Sequence, residues 1–156
     1  MINIDIPGFG KFNCEYLVSD FTGTLSVDGK LLPEVKERLI KISKILKVHI
    51  ITADTFKTTE KELKGINCEI KIISGNNLDI QKKEYIRKLG HEKVITIGNG
   101  KNDRLMLKIA RIGIAICLAE DCSIDAIMSS NILVKSPYDA FGLLLFPNRL
   151  IACLSF

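Results

Sequence analysis

The stretch Tyr16-Leu17-Val18-Ser19-Asp20-Phe21-Thr22-Gly23-Thr24-Leu25 decides how the rest of the chain is read. An apolar run of strand length leads directly into an acid, and small, turn-forming, hydroxyl-bearing residues follow. An acid so placed stands at the carboxyl end of a strand, which is where chemistry collects in open parallel sheets. Alone, a strand-end Asp more commonly caps a turn, so the weight on Asp20 depends on what the other strand ends carry.

Outward from this stretch, short apolar runs recur at 48–51, 70–73, 94–97, 113–117 and 132–134, separated by segments of helical spacing. Pro33 opens one of these, with Val35, Leu39, Ile42, Ile45 and Leu46 at helical intervals. Others run over 79–89, ending before Gly90, and over 102–110 and 123–128. A last one begins over 139–145 and is interrupted by Pro147. Strand–helix alternation of this kind predicts a parallel sheet, and the spacing predicts one doubly wound α/β domain spanning 1–156.

Composition narrows the functional classes. The chain has 156 residues, 47% of them hydrophobic, enough to bury a sizeable core. Charged residues make up 26% with a net charge of +4 and no long run of one sign, and aromatics are 6%, so no nucleic-acid footprint is expected. No apolar stretch approaches the length of a membrane span, and the acid and Pro-Gly within Met1-Ile2-Asn3-Ile4-Asp5-Ile6-Pro7-Gly8 do not suit a signal peptide. Five cysteines without a CxxC pair fit a reducing compartment. A cytoplasmic protein without a membrane partner is expected.

Three further strand ends give Asp20 its company. The second ends Thr52-Ala53-Asp54, offering a hydroxyl and backbone N–H groups suited to a phosphate oxygen. The fourth ends Gly98-Asn99-Gly100-Lys101-Asn102-Asp103, where glycines permit close approach and side-chain oxygens gather ahead of a helix. Between them, Lys82 and Lys83 sit near the start of a helix, where cations are disfavoured unless an anion is nearby.

In this order and spacing, Asp20-Phe21-Thr22-Gly23-Thr24-Leu25, Thr52, Lys82 and Gly98 through Asp103 resemble the four motifs of the haloacid dehalogenase (HAD) superfamily. The closest likeness is to the phosphorylation domain of P-type ATPases, and in particular to stand-alone "soluble P-type ATPase"-like proteins. The resemblance implies a three-layer α/β/α, Rossmann-like parallel sheet. It implies a magnesium-dependent phosphatase in which Asp20 attacks a phosphoryl group and forms an aspartyl phosphate. Thr22 contributes its backbone carbonyl to the ion, and Asn99 and Asp103 complete the metal site with Asp20. Thr52, Ala53 and Lys82 hold the transferring phosphoryl group. Of the two lysines, spacing to Leu89 favours Lys82.

About thirty residues separate Asp20 from Thr52, and as few separate Thr52 from Lys82, so no cap domain fits at either place. A capless member resembles enzymes whose phosphorylated substrate is a small molecule or macromolecule selected by a large partner or by a homo-oligomer. ATP-driven pumping is not expected.

Two positions depart from the phosphatase pattern. Phosphatases of the superfamily usually carry an acid two residues after the nucleophile, where Thr22 stands, and general acid–base help contributes roughly 10²–10⁴ in rate. Asn99 stands where the pumps have Asp, so an amide replaces a charged ligand. A slow phosphatase is therefore one reading. A catalytically weak regulatory or scaffold protein and a phosphotransferase with a long-lived phosphoenzyme are the others.

Smaller features have bland readings. Asp54 is expected to cap the turn into the next helix, Lys101 to be an exposed loop charge, and His49 and His91 to be structural. Val27-Asp28-Gly29-Lys30 predicts a hairpin with a type I′ turn, which in the family flaps over the site.

Overall fold

A computed structural model of the chain describes residues 1–54 and 58–156. Its strands, in chain order, are β1 (Ile2–Ile6), β2 (Gly10–Cys14), β3 (Tyr16–Ser19), β4 (Ser26–Val27), β5 (Lys30–Leu31), β6 (Lys47–Thr52), β7 (Cys68–Ile72), β8 (Val94–Gly98), β9 (Ile112–Ile116) and β10 (Ile132–Val134). The helices are α1 (Pro33–Ile42), α2 (Thr59–Glu62), α3 (Leu78–Leu89), α4 (Arg104–Ile109), α5 (Ile124–Met128), α6 (Pro137–Leu145) and α7 (Pro147–Leu154). A 3₁₀ turn, Lys101–Asp103, leads into α4.

Six strands pair in parallel in the order β10-β9-β8-β3-β6-β7, which places β3 inside the sheet and Asp20 at its carboxyl end. Alternation along each strand divides the core in two. Leu17, Val48, Ile50, Ile95 and Ile97 face one side, with Leu39 of α1 and Phe141 of α6 packed on them. Val18, Ile51 and Val94 face the other, against Ile86 of α3 and Met106 of α4. This is the three-layer HAD-like α/β/α arrangement, and no cap domain is evident among the described residues.

Helix α1 shows how the sequence builds these layers. Pro33 sits in its first turn, where a missing N–H costs nothing, and Val35, Leu39 and Ile42 form one buried stripe. Each such side chain contributes roughly 1.5–3 kcal/mol when fully removed from water. The helix closes at Ile42, earlier than the apolar spacing through Leu46 suggests, because residues 43–46 turn down to feed β6.

Three elements lie outside the sequence reading. The N-terminal residues form an antiparallel hairpin, β1 on β2, with Ile2, Ile4 and Ile6 turned into the core. The period-two alternation Ile2-Asn3-Ile4-Asp5-Ile6 carries that signal. Pro147 does interrupt α6, but as a first-turn residue it also starts α7, whose Leu150 is buried. The short α2 is too brief to show a period.

Gly113 marks where β9 and α4 come closest: a Cβ there would lie 2.2 Å from the Leu107 carbonyl oxygen. Gly113→Ala is expected to destabilise the chain by about 1–3 kcal/mol. The check is the midpoint of denaturant unfolding, which should fall without a change in slope.

Candidate active site

Two carboxylates that follow separate strands, Asp20 after β3 and Asp103 after β8, meet one buried ammonium. Lys82, one turn into α3, is fully buried, and its Nζ donates to Asp20 Oδ1 at 2.8 Å and to Asp103 Oδ1 at 2.6 Å. Lys82, rather than Lys83, therefore reaches the carboxylates. Burial alone would lower the lysine's pKa, but the Asp103 and Asp20 charges outweigh it and hold it above its ordinary value.

Asp20 is placed by the sheet. Its N–H donates to the Ile97 carbonyl at 2.9 Å, continuing the β3–β8 pairing by one residue. The chain then turns tightly: the Phe21 carbonyl accepts from the N–H groups of Thr24, Leu25 and Ser26. Gly23 has φ of 73°, and a Cβ there would lie 2.4 Å from Asn99 Nδ2, so both backbone and space require glycine. Burial pushes the Asp20 carboxyl up to about 6, with Lys82 pulling it down and Asp103 pushing it further up.

The other Asp20 oxygen faces the fourth strand end. Thr24 Oγ1 lies 3.4 Å from Asp20 Oδ2 and 3.1 Å from Asn99 Oδ1, so the two oxygens share the reach of one hydroxyl. Asn99 is fixed from behind: its Nδ2 donates to the Asp121 carbonyl at 3.1 Å, and its own carbonyl accepts from the Ser123 N–H at 2.8 Å. The Nδ2 bond leaves the amide oxygen on the side of the Thr24 hydroxyl.

Asp103, the acid expected from the fourth motif, is hydrogen-bonded through both carboxylate oxygens. Its Oδ2 accepts from the N–H groups of Asn99 and Gly100 at 3.0 and 2.9 Å, while Oδ1 is held by Lys82. Both oxygens are engaged and the residue is fully buried. Gly98 leaves the room for this, since a Cβ there would lie 2.6 Å from Asp103 Cγ. The geometry thus joins Asp103 both to Asn99, its neighbour in the motif, and to Lys82.

Thr52 ends β6 almost fully buried, and its Oγ1 accepts from the Asp54 N–H at 3.1 Å. Ala53 follows, partly exposed, on the same loop. Asp54 caps α2 as read: its Oδ1 accepts from the N–H groups of Thr58 and Thr59 and from Thr59 Oγ1. Thr22, part-buried, pairs with Ser26 at the base of the β4–β5 hairpin. Asp28 and Gly29 both have positive φ, 51° and 74°, as the type I′ turn demands.

The remaining candidates stay outside. Lys101 is exposed, 3.7 Å from Asp125. His49 Nδ1 lies 2.8 Å from the Tyr85 hydroxyl, which donates to Glu69, and burial lowers its pKa. His91 lies in the turn before β8. Sequence reasoning missed Glu120, whose carboxylate Oε1 accepts from the Asp28 N–H at 2.8 Å. It follows the end of β9, a position the alternation of strands and helices could have flagged.

No protein-family model matches the chain. It is 48% identical over 62 residues to uncharacterized protein MJ0073 of Methanocaldococcus jannaschii, a match covering 40% of this chain and 67% of that protein. Its fold resembles 3-deoxy-D-manno-octulosonate 8-phosphate phosphatase from Moraxella catarrhalis, in complex with magnesium ion, phosphate ion and KDO. That likeness has a TM-score of 0.65 and 17% identity, over 89% of this chain and 92% of that one. The cobalt-bound phosphatase YrbI of Haemophilus influenzae gives 0.65 and 11%, over 92% and 94%. A putative HAD superfamily hydrolase from Legionella pneumophila gives 0.61 and 13%, over 90% and 86%. At such identities the likeness shows the fold alone. The chain thus has the fold of HAD superfamily phosphatases, and by its identity to the archaeal protein it belongs to the same family as MJ0073.

Proposed function

We propose that this chain is a magnesium-dependent phosphohydrolase working through an aspartyl phosphate on Asp20. The observation that carries the reading is the Lys82 ammonium buried between Asp20 and Asp103. A buried ion pair is poor value as a stabiliser, since apolar residues of similar volume do as well or better, so its presence at the carboxyl ends of parallel strands points to chemistry. The likeness to solved phosphatases supports the same reading.

The Asp20 carboxylate is the attacking group, with one of its oxygens held by Lys82. It forms a bond to phosphorus as the ester P–O bond breaks in line, and the leaving oxygen takes a proton from water. Water then attacks the acyl phosphate, releasing inorganic phosphate and the free carboxylate. Lys82 neutralises charge on the nucleophile and on the transferring group, while Thr52 Oγ1 and the Ala53 N–H hold phosphoryl oxygens.

The three charges at the site sum to one negative, which repels a phosphate dianion. A hard cation fits the donors present: Asp20 Oδ2 and Asn99 Oδ1 sit beside the same hydroxyl, and the Thr22 carbonyl lies on the adjoining turn. Bound there, magnesium supplies the positive charge that offsets this repulsion. Asp103 positions Lys82 in this scheme.

Thr22 provides no carboxylic acid for the leaving group or the hydrolytic water, so hydrolysis of the intermediate is slow. The P-type ATPase-like motif pattern, which also lacks that acid, agrees with a phosphoenzyme that persists. The substrate is a phosphorylated small molecule or macromolecule. The whole chain acts as one cytoplasmic domain, and the five cysteines, all free, suit that compartment. Among the described residues no helix is long and apolar enough to cross a membrane.

The primary test follows phosphate release from p-nitrophenyl phosphate and acetyl phosphate. Release should require magnesium, stop with EDTA, return on adding magnesium back, and disappear in Asp20→Asn. Release that survives Asp20→Asn contradicts the reading.

Two further variants separate the roles of the fourth motif. Asp103→Asn should lower kcat at least about tenfold while the magnesium concentration for half-activity stays within about twofold. Asn99→Ala should raise that concentration about tenfold or more. An equal rise in both would return Asp103 to the metal.

A further inference from the structure

The β4–β5 hairpin carries two unused hydrogen-bonding groups at its tip. Val27 and Lys30 close its ladder, so the Asp28 N–H and the Gly29 carbonyl point away from it. Water could serve both. Instead, Glu120 Oε1 accepts from the Asp28 N–H at 2.8 Å, and Thr58 Oγ1 donates to the Gly29 carbonyl at 2.9 Å. A third bond, from the Leu31 N–H to Glu62 Oε2 at 2.9 Å, fastens the outgoing strand.

These fasteners come from opposite sides of Asp20. Glu120 lies on the loop after β9, and Thr58 and Glu62 lie beyond the end of β6, while in the sheet β3 runs between β8 and β6. The hairpin is therefore tied across the carboxyl end of β3, and Asp20 beneath it is only 6% exposed. Glu120 also reaches the hairpin's base: its Oε2 lies 3.1 Å from where a Cβ on Gly23 would stand. The tight turn that presents Glu120, closed by Asp121 N–H to the Leu118 carbonyl at 2.9 Å, is the same turn whose Asp121 carbonyl holds Asn99.

We propose that Glu120 is a positioning residue for the phosphatase site: with Thr58 opposite, it straps the hairpin over Asp20, so that the strap restricts which phosphoesters reach the nucleophile. The second clause rests on the phosphohydrolase reading above; the strap itself does not. In a chain without a cap domain, the hairpin so fixed narrows the mouth and favours phosphates with a small ester group. A backbone amide donating to a carboxylate is a charge-assisted bond, stronger than the water contact that would replace it.

The test compares the intact chain with Glu120→Ala and Glu120→Gln, because the Gln amide oxygen can accept the same bond. Hydrogen exchange at the Asp28 amide, within segment 26–31, should speed by about tenfold or more in Glu120→Ala and stay near the original in Glu120→Gln. The ratio of kcat/KM for acetyl phosphate over p-nitrophenyl phosphate should fall about fivefold in Glu120→Ala and return in Glu120→Gln. Unchanged exchange in Glu120→Ala overturns the strap. Faster exchange with an unchanged ratio overturns its part in selection. If the original chain releases no phosphate, the phosphatase reading is what has failed; exchange then decides the strap alone, faster in Glu120→Ala supporting it and equal rates overturning it.

Discussion

Everything at the carboxyl end of this sheet is arranged around the Lys82 ammonium. A lysine taken wholly out of water is tolerated only if anions meet it, and here two do, at 2.8 and 2.6 Å. Each anion in turn needs its remaining oxygen accounted for. Asp103 satisfies that need with the Asn99 and Gly100 amides, which shapes the loop after β8. Asp20 is held more loosely among the described residues: Thr24 Oγ1 stands 3.4 Å from Oδ2, and the Phe21 backbone also bears on the carboxylate. The asymmetry between the two carboxylates leaves one of them with lone pairs to offer, and that one stands at the end of a central strand.

The same asymmetry carries the chemistry proposed for the site. An anchored carboxylate holds a cation in place, and a less occupied one attacks or ligates. Removing either partner of a buried pair strands a charge and costs about 3–5 kcal/mol, so the trio is held together by stability as well as by use. Thr22 and Asn99 temper the expected rate, one by withholding an acid and the other by replacing a charged ligand with an amide. Asn99 is nevertheless rigidly held by Asp121 and Ser123, as a ligand of fixed direction would be.

Much of this was legible beforehand. The strand runs ending at Asp20, Thr52 and Gly98 were visible because strands of a doubly wound sheet are buried on both faces and read as apolar blocks. Asp28-Gly29 announced its turn through backbone requirements that few residue pairs meet. The N-terminal hairpin is harder to read: Ile2, Ile4 and Ile6 alternate, but one short strand does not name its partner. The fourth-motif resemblance singles out Asp103 as an acid of the site, but its bond to Lys82, 21 positions away on α3, has no signal in the sequence. Glu120 was marked by nothing beyond its place after a strand end, because its partner is an ordinary backbone N–H that only the tertiary fold brings near.

The account stands or falls on covalent chemistry at Asp20. The direct measurement is acid quench of the magnesium-loaded chain during incubation with acetyl phosphate, followed by peptide mapping of any phosphoryl adduct. The account predicts an acid-stable, hydroxylamine-labile adduct on the peptide carrying Asp20, absent without magnesium. An adduct on another residue, or turnover that proceeds with none under conditions that trap acyl phosphates, would contradict it.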